Sequence, residues 1–132
     1  AELVGKVIPK RLQKQGFNPA TLTFQALRIA VNNELQELSV LLEQVPARLK
    51  PNGRLSIITF HSLEDRIVKH QFRKWENPCV CPTDLPYCIC GEKPLGRVLT
   101  RRPVKTSKNE VADNPRSRSA HLRVFALDKT AS

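Results

Sequence analysis

One stretch constrains the fold more than any other: an apolar run followed at once by a polar cluster and a helical pattern. Residues 55–60, "LSIITF", are apolar or small with almost no interruption, and the turn sequence "KPNGR" precedes them. Such a run is typical of a strand covered on both faces, as in parallel sheets. Large apolar residues then recur at helical spacing, at Leu63, Ile67, Phe72 and Trp75. A buried strand that leads directly into a helix predicts an α/β fold.

The sequence before this strand predicts one long helix. From Thr23 to Gln44, apolar residues recur every three or four positions, which corresponds to about six helical turns. The recurring residues are Phe24, Leu27, Val31, Leu35, Leu38, Leu41, Leu42 and Val45. We expect this stripe to lie in the core, a threonine to cap the helix, and Pro46 to end or kink it.

The C-terminal part of the chain predicts an antiparallel pair of strands. The stretches "GRVLTRRPV" and "HLRVFALD" both alternate apolar with polar residues, and a polar segment connects them. Residues 76–96, between the predicted helix and the first of these strands, form a loop rich in proline, cysteine and glycine.

The charge balance points to a polyanionic partner. Lys and Arg number 22 against 12 Asp and Glu, which gives a net charge of +10. Nine of these bases and only two acids fall between Lys93 and Arg123. A basic segment of this kind either binds nucleic acid or is simply a solvated surface, and composition alone does not separate the two.

Length and hydropathy limit the class of protein. A chain of 132 residues is long enough for one compact domain with a core. No stretch approaches the roughly 18 apolar residues that a membrane span requires, and the first residues lack the apolar centre of a signal peptide. We therefore expect a soluble, intracellular protein with no membrane contact.

The polar cluster "FHSLEDR" lies where ligands bind in open α/β sheets, beyond the carboxyl end of a strand and at the start of a helix. Its candidate site residues are His61, Ser62, Glu64, Asp65 and Arg66. A purely structural interpretation is also open, with Ser62 as helix cap, Glu64 and Asp65 complementing the helix dipole, and Arg66 pairing with one of them. His61 fits that interpretation less well, since a cap needs no imidazole. No glycine flanks Ser62, which excludes the strained turn of a nucleophilic serine.

Four cysteines form two C-x-C pairs in "CVCPTDLPYCIC": Cys79, Cys81, Cys88 and Cys90. Four thiolates are the number that tetrahedral zinc requires, although the spacing departs from the usual C-x-x-C pattern. The alternatives are four free thiols or two disulfides, and a reducing compartment disfavours disulfides. Zinc and free thiols both stay open.

Three long blocks carry a resemblance to a known family: "TFQALRIAVNNEL", "LKPNGRLSIITFHSLEDRIVK" and "LTRRPVKTSKNEVADNPRSRSAHLRV". They resemble the carboxyl-terminal part of the RsmH (MraW) family, whose members use S-adenosylmethionine to methylate the exocyclic N4 of a cytidine in small-subunit ribosomal RNA. The similarity extends from Asn18 to about Leu127, and ordered similarity of this length is more specific than any short motif.

The resemblance implies the carboxyl-terminal part of a Rossmann-like class I methyltransferase sheet with a terminal antiparallel strand pair. Residues 1–18 are then the end of a helical insertion and a linker, and residues 19–132 belong to the methyltransferase domain. The glycine-rich cofactor loop of the family lies in an amino-terminal half that this sequence lacks. We therefore expect the chain alone to be inactive and to bind S-adenosylmethionine weakly or not at all.

The resemblance also implies roles for the candidate residues. The "FHSLEDR" side chains are expected in the target pocket or around it, together with Arg28 and Asn32. For Arg28 and Asn32, ordinary solvent exposure is the alternative. A basic rim for RNA phosphates is expected at Arg101, Arg102, Lys105, Arg116 and Arg118. The implied partners are ribosomal RNA and the missing amino-terminal half, a homodimer stays open, and the implied location is the cytoplasm or an organelle interior. The alternative is a noncatalytic basic module for RNA binding or ribosome assembly.

Overall fold

A computed structural model describes residues 2–9, 18, 20–82 and 87–128 of the chain. It divides into two compact units, Ala1–Glu37 and Leu38–Ser132. The linker predicted before Asn18 lies largely outside the described residues. No helix within the described ranges is long and apolar enough to cross a membrane.

The first unit is helical. It contains α1 (Glu2–Val7), which contacts α2 (Ala20–Asn32), and the start of α3 (Glu34–Gln44). The side-chain oxygen of Asn18 accepts a hydrogen bond from the backbone N–H of Ala20 at 2.9 Å, so an asparagine satisfies a free N–H group at this helix start. The prediction of a threonine cap is therefore wrong.

The single long helix predicted from Thr23 to Gln44 is interrupted. Asn33 separates α2 from α3 and adopts a left-handed conformation with a φ of 54°. Asparagine tolerates this conformation better than most residues, and its side chain favours turns over helix interiors. Apolar periodicity continued through the break, which is why the pattern alone did not reveal it.

The core prediction for the apolar stripe is correct only near its C-terminal end. Leu42 is 1% exposed and Leu38 packs against the core of the second unit, but Phe24 and Val31 on α2 are 55% and 82% exposed. Apolar periodicity identifies the apolar face of a helix. It does not show whether other residues of the same chain pack against that face.

The second unit is built on an antiparallel sheet of four strands, β1 (Arg54–Thr59), β2 (Gly96–Val98), β3 (Val104–Lys105) and β4 (His121–Leu127). The central strand is β4, which pairs with β1 along one edge and with β2 and β3 along the other. The predicted antiparallel arrangement of the C-terminal strands is confirmed.

Strand β1 is covered on one face only within the described part of the chain, so the prediction of burial on both faces is wrong. Leu55 and Ile57 pack against the core, whereas Ile58 and the following Phe60 are 59% and 55% exposed. The strand is apolar, as the sequence indicates, but the described residues pack against only one of its faces.

Helix α4 (Ser62–Glu76) packs on this sheet and forms the core with it. The ring centroids of Phe72, Trp75 and Phe125 lie 5.2–5.6 Å apart, and all three side chains are buried. Aromatic contacts of this kind add to the free energy gained from burial. They fix α4 along the sheet, so both of its ends have defined surroundings.

Turns complete the second unit. Pro46 ends α3 in the 3-10 turn Val45–Ala47, as predicted, and Gly53 closes the predicted turn before β1 by donating a hydrogen bond to the carbonyl oxygen of Lys50 at 2.8 Å. The short helix α5 (Lys108–Asp113) and the 3-10 turn Pro115–Ser119 connect β3 to β4.

Candidate functional site

The start of α4 is closed by a histidine. His61 has extended backbone angles, and its Nδ1 accepts a hydrogen bond from the backbone N–H of Glu64 at 3.4 Å. The Glu64 carboxylate in turn accepts hydrogen bonds from the backbone N–H groups of Phe60 and His61, at 2.9 and 3.3 Å. This reciprocal arrangement is a capping box that satisfies free N–H groups at the helix start.

The expectation that Ser62 is the cap, and that a cap needs no imidazole, is therefore wrong. Ser62 is the first residue inside the helix and is exposed. The His61 side chain is only 7% exposed, and its Nε2 lies 3.3 Å from a Glu64 oxygen. The imidazole is thus held in one orientation at the strand end.

Asp65 joins α4 to the central strand. Arg123 of β4 donates two hydrogen bonds to the Asp65 carboxylate, from Nε at 2.6 Å and from Nη2 at 2.9 Å. The side chain of Asp65 is 17% exposed, and that of Arg123 is 5% exposed. The hydrogen bond from Arg123 lowers the pKa of Asp65 below its ordinary value of 3.8, although burial opposes this effect. Asp65 is one of the two carboxylates that the structural interpretation offered to Arg66, and it pairs with Arg123 instead, while Arg66 is exposed.

A basic cleft lies along the C-terminal half of α4. Its volume is about 670 Å³, and it lies between α4, β2 and the start of the cysteine loop, residues 77–95. Five cations line it: Lys69, Arg73, Lys74, Arg101 and Arg123. Glu76 also lines it, and its carboxylate accepts a hydrogen bond from the backbone N–H of Val98 at 2.8 Å. Exposed cations such as Arg73 and Arg101 are therefore available to an anionic ligand.

The predicted basic rim is only partly assembled at this cleft. Arg101 lines it, whereas Arg102, Lys105, Arg116 and Arg118 are exposed and are not among its lining residues. Sequence analysis missed the helix cations. Lys69 and Arg73 are four positions apart and thus share one face of α4, a signal that was present in the sequence.

Arg28 and Asn32 lie in the first unit, where both bind Glu34. Arg28 approaches the Glu34 carboxylate at 3.0 and 3.1 Å, and the Asn32 amide donates to it at 3.2 Å. These contacts bridge the break between α2 and α3. Both side chains thus have a local carboxylate partner, and their expected place near the target pocket stays a prediction.

The four cysteines are brought together at the C-terminal side of α4. The sulfur of Cys88 lies 3.4 Å from that of Cys79, 3.8 Å from that of Cys81 and 3.2 Å from that of Cys90. All four sulfurs lie within 4.8 Å of one another, and none forms a disulfide.

The local environment gives two of these thiols different pKa values. Backbone hydrogen bonds from Glu92 and Val80 lower the pKa of Cys90 to about 6. The hydrogen bond with Cys90 raises the pKa of Cys88 to about 12. One thiol of the cluster thus favours the thiolate at neutral pH.

The chemistry of the two ends of α4 differs. At the N-terminal end, Glu64 and Asp65 are occupied by the capping box and by Arg123, so they hold the strand end in shape. At the C-terminal end, cations face open space in the cleft. Arg123 contributes to both, because it binds Asp65 and lines the cleft. Five cations around one cleft give it a surface that favours anions.

Comparison with known proteins gives a consistent result. The profile of the MraW methylase family matches residues 1–128. The chain is 55% identical over 122 residues to "Ribosomal RNA small subunit methyltransferase H" of Symbiobacterium thermophilum, which covers 92% of this chain and 38% of the relative. The protein of the same name from Pelobacter propionicus is 55% identical, with 92% and 39% covered. That of Clostridium botulinum is 53% identical, with 93% and 40% covered. The chain therefore spans less than half the length of these relatives.

Proposed function

The chain belongs to the MraW methylase family, and we propose that it is the carboxyl-terminal part of an S-adenosylmethionine-dependent methyltransferase that modifies the exocyclic N4 of a cytidine in small-subunit ribosomal RNA. Relatives that are named as ribosomal RNA small subunit methyltransferases match this chain over 92–93% of its length. The basic cleft along α4 is the observation that carries the RNA part of the proposal.

The cleft is proposed to hold RNA phosphates. Arg73 lines it from α4, and Arg101 lines it from the segment after β2. Phosphate contacts fix the register of a nucleic acid and supply most of its affinity, but they do not read bases. The cleft residues therefore bind and orient the RNA, while base selection requires a separate pocket.

That pocket is proposed at the strand end. Ser62 is exposed directly beside the fixed imidazole of His61, so its hydroxyl is available to a base edge. A target nucleotide that leaves its stack is commonly held by such polar contacts. The amino nitrogen of cytosine must lose a proton during or after methyl transfer, and accurate positioning supplies most of the rate. The capping box and the Asp65–Arg123 pair serve that positioning by making the strand end rigid.

We propose that the cofactor loop is not among the described residues of this chain. A Cβ at Gly53 would lie 2.7 Å from the Lys50 carbonyl oxygen, and one at Gly96 would overlap the Ala126 carbonyl oxygen. Both glycines thus serve close backbone approach and not an open cradle for a ligand. We propose that S-adenosylmethionine is held by the amino-terminal half of the longer protein, and that this chain alone is inactive.

The exposed apolar surfaces are proposed as contacts with that half. Ile58 and Phe60 lie exposed on and after β1, and Phe24 and Leu27 lie exposed on α2, at 55–59%. Apolar residues clustered on an element are commonly covered by a partner surface. Alternatively, a second copy of the same protein packs against these surfaces in a homodimer. The proposed location is the cytoplasm or an organelle interior.

A noncatalytic RNA-binding or ribosome-assembly module is the second candidate. It is favoured by one observation: Glu64 and Asp65 are already engaged in structural hydrogen bonds, so the strand end offers no free carboxylate among these two. Methyl transfer by the whole protein separates the two candidates, because a noncatalytic module transfers no methyl group.

The test uses the full-length enzyme on small ribosomal subunits. The double variant Arg73→Ala with Arg101→Ala is expected to weaken RNA binding and to reduce the salt dependence by about one unit of slope for each lost phosphate contact. Arg48→Ala with Lys50→Ala, at two exposed positions that do not line the cleft, is the matched control for two lost charges. Equal effects of the two double variants would show that only total charge matters and would contradict a phosphate site in the cleft.

A further inference from the structure

The cysteine loop brings four thiols together. Val80, Tyr87 and Ile89 are 71–79% exposed, so the large apolar residues described between the cysteines form no core of their own. The sulfurs nevertheless lie within 4.8 Å of one another. An apolar loop side chain that stays in water contributes no burial free energy. Burial of these side chains therefore does not account for the approach of the four sulfurs.

We propose that Cys79, Cys81, Cys88 and Cys90 bind one zinc ion and that this ion fixes the cysteine loop against the end of α4. Zinc in structural sites is tetrahedral, and sulfurs about 2.3 Å from it are separated by about 3.8 Å. The sulfur of Cys88 lies 3.2, 3.4 and 3.8 Å from the other three, so small movements of the side chains would reach that value. Each C-x-C pair contributes two ligands.

Backbone groups also prepare the sulfurs for a cation. The N–H of Ile89 donates to the Cys81 sulfur at 3.4 Å, and backbone groups of Glu92 and Val80 hydrogen bond to the Cys90 sulfur. Donors directed at sulfur stabilise negative charge there. Zinc displaces the thiol protons into solvent when it binds, so the four ligands act as thiolates.

The position of the loop gives the ion a structural role. The loop leaves α4 at Asn77 and returns at Leu95, whose backbone N–H donates to the carbonyl oxygen of Trp75 at 2.9 Å. Cys79 and Val80 line the basic cleft beside Arg101. A zinc ion at the cysteines therefore holds one wall of the cleft in place.

Metal content and thiol protection test the site in the purified chain. After reconstitution with zinc under reducing conditions and removal of excess metal, we expect about one zinc ion per chain by mass spectrometry of the metal. Iodoacetamide should leave the four thiols unmodified until a chelator removes the metal. Cobalt should give the charge-transfer absorption of a tetrahedral thiolate site, which zinc then displaces.

Variants separate the site from the rest of the loop. Cys79→Ser with Cys90→Ser should abolish stoichiometric zinc, and Tyr87→Ser, an exposed change in the same loop, should retain it. The alkylation result on the unaltered chain decides the matter if the cysteine variant does not fold. Zinc near zero in the reconstituted chain, or a mass showing two disulfides under reducing conditions, would overturn the proposal.

Discussion

The two ends of α4 are fixed by different means. At the N-terminal end, His61 and Glu64 cap each other and Asp65 binds Arg123, which lies 58 positions later in the chain. At the C-terminal end, the cysteine loop has exposed side chains and four neighbouring sulfurs. The first end is held by hydrogen bonds between protein groups, whereas the loop that follows the second end brings four thiols together.

This difference predicts that the two ends of α4 respond differently to changes in conditions. A bidentate pair between a helix and the central strand forms as soon as the sheet forms, since Arg123 is part of β4. A cysteine cluster in an exposed loop is ordered only when its ligand or its redox state allows. The strand end should therefore keep its shape under conditions in which the cleft wall changes.

The largest expected effect comes from breaking the strand-end pair. Asp65→Ala leaves the Arg123 guanidinium, 5% exposed, without its carboxylate. Removing one partner of a buried pair costs about 3–5 kcal/mol, and we expect the lower end of that range because Asp65 retains some solvent contact. Urea unfolding of the chain and the variant measures the loss.

The control is an exposed acid elsewhere. Asp113→Ala, at the end of α5, should change the free energy of unfolding by less than about 0.5 kcal/mol. The double variant Asp65→Leu with Arg123→Met removes both charges and should recover part of the loss. If Asp65→Ala alone costs no more than Asp113→Ala, the pair does not hold the strand end.

The Asp65–Arg123 pair also shows which features can be predicted from the sequence and which cannot. The strand at residues 54–59, α4 and the antiparallel C-terminal strands were predictable, because each follows from local periodicity. The partner of Asp65 was not, because nothing local links it to a residue on another strand. A nearby arginine, Arg66, was the obvious candidate and is exposed instead.

The cap and the helix break illustrate a second limit. Sequence preference favours serine as a cap, yet the backbone turns one residue earlier and uses the imidazole of His61. Asn33 breaks the first helix within an uninterrupted apolar pattern. Both depend on the conformation of a single residue, which the pattern of apolar positions does not record.

The next largest effect concerns the cysteine loop. If zinc binds only the folded chain, free zinc at 100 times its dissociation constant should raise the free energy of unfolding by about 2.7 kcal/mol. The gain should vanish in the variant Cys79→Ser with Cys90→Ser and persist in Asp65→Ala. Thermal unfolding with and without zinc measures both, and an equal gain in the cysteine variant would place the metal elsewhere.

Acid should affect the strand end in one direction. Because Arg123 lowers the pKa of Asp65 below 3.8, the pair contributes its full stability above that pH. The contribution is lost as the pH falls from 3.8 through the lower pKa of the folded state. Protonation weakens the pair without removing it, so the loss should be smaller than in Asp65→Ala. Urea unfolding across this range should show a steeper acid dependence in the original chain than in Asp65→Asn, and parallel curves would contradict the pair's role.

The smallest effect is expected at the cap, and it separates structure from function at the strand end. His61→Ala removes the acceptor for the Glu64 N–H and should cost about 1 kcal/mol of unfolding free energy, while Ser62→Ala, at an exposed position, should cost only a few tenths. His61→Asn restores a good cap and should regain the stability. Methyl transfer by the full-length enzyme then decides between two roles. If His61→Asn restores stability and turnover together, the imidazole acts only as a cap. If stability returns and turnover does not, the imidazole has a second role beside the target base, since an asparagine cap keeps the helix start but cannot reproduce the ring.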